Sequence, residues 1–190
     1  MKPFLKWLPL LVLFVPGLAV AHPGGAPDGF ASGFAHPWSG MDHLLAMLSV
    51  GIWARQQGGK AVWAIPCAFV AAMVIGGVMG LKGVPVPAVE QGIAASVLAL
   101  GLMVAMAMRL PTSVGMVLVA VFAVFHGHAH GAEMPLADDA VGYACGFTLA
   151  TALLHVVGIG LGSTIGRVSR VLVRLVGVVV ALSGVWLMVG

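Results

Sequence analysis

Long apolar stretches alternate with short polar links along nearly the whole chain. The stretches cover residues 37–54, 61–80, 87–108, 113–130, 138–162 and 168–189. Each approaches or exceeds the roughly 20 residues that a helix needs to cross the hydrocarbon core of a bilayer. The links are the run Arg-Gln-Gln-Gly-Gly-Lys at 55–60, Lys82 to Pro87, Arg109 to Thr112, Gly131 to Ala137 and Ser163 to Arg167. None leaves room for a soluble domain. The pattern predicts an all-α integral membrane protein with six transmembrane helices in one bundle.

Residues 1–21 form a different unit. Lys2 and Lys6 give a basic start, Trp7 to Val15 an apolar core, and Ala19-Val20-Ala21 a small-residue cleavage site. Pro9, Pro16 and Gly17 interrupt the run, so it reads as a cleaved signal peptide rather than a further span. Residues 22–190 then form the mature six-helix domain. It begins at His22, outside the cytoplasm, with a Gly-, Pro- and Ala-rich lead-in to residue 35.

With that start, Arg55, Lys60, Arg109, Arg167, Arg170 and Arg174 fall on the cytoplasmic side, and Lys82 alone on the outer links. This bias sets a bacterial inner-membrane topology with both mature termini periplasmic. Trp38, Trp53, Trp63 and Trp186 fall at expected interface depths. Composition agrees: 61% of residues are hydrophobic and 8% charged, against about a quarter charged in soluble domains. A net charge of +3 with dispersed arginines gives no nucleic-acid footprint. Cys67 and Cys145 lie in different spans near opposite faces, beyond disulfide reach. Glycines four apart, as in Gly76/Gly80, Gly127/Gly131 and Gly158/Gly162, allow close helix approach.

Against this background, ionisable groups inside the spans call for a functional explanation. With Pro37 at the first helical position, His36 and His43 share a helix face two turns apart. Met47 continues that face and Asp42 lies beside it. In the fourth span His126 and His130 are one turn apart, with Glu133 next if the helix persists; His128 points elsewhere. The topology brings both clusters to the outer half of the bilayer. Imidazoles with carboxylates suit Ni, Co, Zn or Cu; the Met47 thioether would suit Cu(I). The alternative is a polar network that only locks helices together. Glu90, Asp138 and Asp139 either make the outer mouth negative or are ordinary solvated charges. His155, with Thr151 one turn before it, is either a hydrogen-bonded structural residue or a relay ligand further in. A mature His22 would add an α-amine and imidazole for weak capture.

At its two motifs the chain resembles the HupE/UreJ family, hydrogenase and urease accessory membrane proteins regarded as nickel or cobalt permeases. The first family motif, His, five residues, Asp-His, matches His36, Asp42 and His43. The second, Phe-His-Gly-x-Ala-His-Gly-x-Glu, matches Phe125, His126, Gly127, Ala129, His130, Gly131 and Glu133. His128 stands at a variable position, so the family gives it no role. The resemblance spans nearly the whole chain and implies uptake of Ni2+ or Co2+ as substrate, no resident cofactor, no enzymatic activity, and a functional link to hydrogenase or urease maturation. The residues alone stop at a divalent transition metal. Gly59-Lys60 is followed by Ala61 and lacks a phosphate-loop pattern, so direct ATP drive is not expected. Two rivals are a membrane-embedded metalloenzyme and a sensor or accessory protein that binds metal without moving it.

Overall fold

The computed structural model describes residues 29–134 and 139–190. The expected signal peptide and its cleavage site, His22 and Asp138 lie outside the described residues. Those described form α1 (Gly29–Ser39), α2 (Met41–Gln57), α3 (Ala61–Leu81), α4 (Val89–Met106), α5 (Thr112–Glu133), α6 (Ala140–Val168) and α7 (Arg170–Val189). Five of them, α3 to α7, are long and apolar enough to cross a membrane. Their outward faces carry exposed residues such as Ile75, Val117, Val121, Val157 and Leu182.

The first apolar stretch is not one helix from Pro37. Pro37 lies inside α1, and the chain breaks at Gly40 before α2 begins. Local chemistry explains the break. Pro37 has no N–H, so it offers no bond to the carbonyl one turn before it. Ser39 Oγ donates to the His36 carbonyl at 2.7 Å, a group that a continuing helix would offer to residue 40. Gly40 then starts α2 by accepting from Leu44 N–H at 2.9 Å.

This second helix, 17 residues long, is the hub. It touches every other helix, and Met47, Val50 and Trp53 on it are fully buried. Around it α3 packs along α5, α4 along α7 and α1 along α6. Glycines set these crossings. A Cβ on Gly127 would fall on the Met73 carbonyl, and one on Gly131 on the Gly77 carbonyl. α3 and α5 therefore run parallel in backbone contact, which fixes the height of the α5 histidines.

Charges separate between the two ends. Asp42 and Glu90 share a cavity of about 250 Å³ with Gly190. At the other end a cavity of about 520 Å³ is lined by Arg55, Arg109, Arg167, Arg170 and Arg174. Trp38, Trp63 and Trp186 are exposed, as expected for interface residues, but Trp53 is fully buried. Its indole Nε1 donates to the Met108 carbonyl at 2.9 Å, and its ring packs where a side chain on Gly115 would sit. A Trp near a helix end reads as an interface anchor unless a glycine opposite makes room for it. Cys67 and Cys145 are free and exposed.

Candidate metal centre

The break at Gly40 shapes the first half of the site. A side chain on Gly40 would press on Asp42 Oδ1 and His43 Nδ1; without one, the two groups meet over the start of α2. Asp42 Oδ1 accepts the His43 backbone N–H at 2.8 Å and lies 2.7 Å from its Nδ1. An ionised carboxylate only accepts, so Nδ1 carries the proton and Nε2 keeps the lone pair. That Nε2 is buried with no hydrogen-bond partner among the described residues. A carboxylate behind an imidazole is the arrangement that orients and strengthens a metal-binding histidine.

The second half comes from α5, which persists through Glu133. His126 and His130 are buried, and their ring centroids lie 4.8 Å and 4.3 Å from that of His43. His126 Nε2 is 2.8 Å from Ser96 Oγ on α4, while the Ser96 hydroxyl is 2.6 Å from the Ile93 carbonyl. A hydroxyl has one proton. With that proton on the Ile93 carbonyl, Ser96 accepts from Nε2–H and the His126 lone pair falls on Nδ1. Among the described residues Nδ1 is buried and unpartnered, as are both ring nitrogens of His130. Ser96 is the site residue that sequence reasoning missed. Its only signal was a hydroxyl within the otherwise apolar run of α4.

His36 arrives from α1, across the helix break. Its ring is 4.7 Å from that of His130 and 6.3 Å from that of His43. The expectation that His36 and His43 stack on one helix face is therefore wrong, although the two do meet. His36, His130 and Glu133 each offer a ligand atom within 4.8 Å of the others. Ligands at about 2.1 Å from one ion sit roughly 3–3.5 Å apart, so these three need closing shifts of only about an ångström. On α1, outside the helices able to cross a membrane, His36 has its pKa lowered from 6.5 by desolvation and then by His43, against opposing pulls from Glu133 and Asp42. The Phe147 ring lies tilted at 46° to that of His130 with centroids 4.0 Å apart, and the Tyr143 ring lies 6.2 Å from that of His36.

The other candidates separate cleanly. Glu90 is exposed and shares a cavity of about 250 Å³ with Asp42. His128 turns away: its Nε2 is 2.7 Å from the Val84 carbonyl, so it ties α5 to the α3–α4 link. Asp139 caps α6, accepting from Gly142 N–H at 2.8 Å. Met47 is packed in the core. His155 lies deeper, fully within the bundle.

The helices define a multi-pass, all-helical membrane protein, and the candidate site joins three buried imidazoles, His43, His126 and His130, to the partly buried His36 and Asp42 and the exposed Glu133. The family model for HupE / UreJ protein matches residues 10–187, and the chain belongs to that family. It is 49% identical over 182 residues to "Protein HupE" of Rhizobium leguminosarum bv. viciae, covering 95% of each chain. No solved structure matches.

Proposed function

We propose that this protein is an inner-membrane permease that takes up a divalent transition-metal ion, nickel first and cobalt next. One observation carries the proposal: the rings of His43, His126 and His130 pack on one another, with His43 Nε2, His126 Nδ1 and both His130 nitrogens buried and without a hydrogen-bond partner among the described residues. Leaving such groups unpaired costs about 1–3 kcal/mol each, and a hydrogen-bonded locking network would have paired them. An ion moving along the cluster satisfies them in turn, starting at His130, whose ligand atom lies within 4.8 Å of those of His36 and Glu133.

In this scheme α2 is the sixth span, and the acidic end faces the periplasm with both mature termini. Glu90 and Asp42 raise the local cation concentration. Glu133, His36 and His130 replace part of the ion's water, and His43 and His126 receive it one step deeper. The carboxylates Asp42 and Glu133 offset the charge of a +2 ion in a poorly solvated site. Nickel and cobalt are favoured by the family resemblance and accord with imidazole–carboxylate donors. The same resemblance suggests that the ion serves hydrogenase or urease maturation. A metalloenzyme is disfavoured, since the carboxylates act as ligands or orienters and the Ser96 hydroxyl beside His126 is tied to the Ile93 carbonyl.

The test is purified protein in liposomes loaded with a nickel-sensitive dye. Wild type admits Ni2+ and His43→Ala does not. Tight binding without entry in wild type would favour a sensor or accessory role instead.

A further inference from the structure

The unpaired imidazoles do not end at the outer cluster. His155 is 1% exposed, midway along α6, and neither of its ring nitrogens has a hydrogen-bond partner among the described residues. A structural histidine would be tied to a carbonyl or hydroxyl. The obvious candidate, Thr151 one turn earlier, instead donates to Met73 Sδ at 3.6 Å.

Its position continues a row. From the outside, ring centroids step from His36 to His130 (4.7 Å), His130 to His43 (4.3 Å) and His43 to His126 (4.8 Å). Phe69 follows at 5.9 Å from His126, and His155 lies 5.1 Å beyond it, edge-on at 87°. The His155 carbonyl also meets α2 at Gly51, eight residues or roughly 12 Å inward of His43 along the helix. The row thus runs inward along the hub helix, with one apolar ring between two polar stations.

Resting on the permease reading above, we propose that His155 is a second, inner binding station for the transported divalent metal ion. An ion leaving His126 passes the edge of Phe69 and is taken by an imidazole that nothing else occupies. Thr151, one turn before His155, bonds the Met73 thioether across the α3–α6 interface, and imidazole with thioether is a softer donor set than the outer carboxylates. A station of this kind lowers the barrier to crossing the low-dielectric midplane, while binding weakly enough to release the ion inward.

Two measurements on the full-length protein, with Ni2+ alone as probe, decide the matter. In liposomes, His155→Gln should reduce Ni2+ entry about tenfold or more, and His155→Cys should restore most of it by supplying another ligand. Equilibrium dialysis in detergent should find two ions per wild-type chain. His155→Gln should keep one, with its outer affinity within about twofold, which also shows that it is folded. Wild-type entry in His155→Gln would overturn the proposal, as would equal slowing by the Gln and Cys variants, which marks a shape role. If wild type shows no entry at all, the permease reading fails. The ion count then decides for His155: two ions falling to one supports the station, and an unchanged count overturns it.

Discussion

Ser96 Oγ lies 2.8 Å from His126 Nε2, with its own proton directed at the Ile93 carbonyl 2.6 Å away. The hydroxyl is therefore an acceptor toward the imidazole and fixes the tautomer that leaves Nδ1 free. Such supporting partners are typically worth 10–100-fold in metal affinity. Ser96→Ala should weaken Ni2+ binding at the outer cluster by about tenfold while the helices stay folded. Titration of the purified variant, with circular dichroism as control, checks this. Unchanged affinity would remove Ser96 from the site.

His128 and His130 are two residues apart and have opposite roles. His128 holds the Val84 carbonyl, whereas His130 is buried with both nitrogens free. His128→Ala should leave Ni2+ binding within about twofold and lower stability by roughly 1 kcal/mol, the value of one hydrogen bond. His130→Ala should lose binding by more than about tenfold, as expected for a ligand. Parallel titrations and thermal melts separate the two.

The α3–α5 contact sets the height of His126 and His130. A side chain on Gly131 would strike the Gly77 carbonyl, and backbone there cannot yield as a flexible side chain would. Gly131→Val should destabilise the protein by about 3 kcal/mol, read as a lowered melting temperature in detergent. Gly160 has open space around it, so Gly160→Ala should leave the melt nearly unchanged.

Protons compete with the metal for imidazole nitrogen. Burial and then the neighbouring His43 imidazole lower the pKa of His36 from 6.5. A lowered histidine pKa keeps the neutral, ligating form present at more acidic pH. Initial rates of Ni2+ entry should therefore hold as pH falls to 6.5 and decline only below it. Half-loss of the rate at or above pH 6.5 would contradict this role for His36.

Much of the fold was legible because period and length suffice for apolar helices, and α3 to α7 follow the expected stretches. The first stretch misled, since hydropathy does not register a chain break. Pro37 looked like a helix start, but it stands inside α1, and Ser39 and Gly40 make the turn. The convergence of His36, His43, His126 and His130 was legible from topology, because helices of known direction bring set residues to one depth. Ser96 was not, since a serine in an apolar helix commonly bonds its own preceding carbonyl, and its second contact depends on how α4 faces α5. The roles of Trp53 and His155 likewise depend on what lies opposite: Gly115 for one, an absent hydrogen-bond partner for the other.

The central claim is that ligands from α1 and α5 close on one ion beside the Asp42–His43 pair of α2. Nickel-edge X-ray absorption on the full-length protein, loaded with one equivalent of Ni2+, tests it most directly. Wild type should show several imidazoles with carboxylate oxygen in the first coordination sphere, and His36→Ala and His130→Ala should each lose one imidazole. A spectrum dominated by water oxygen, or one unchanged in both variants, would contradict the claim.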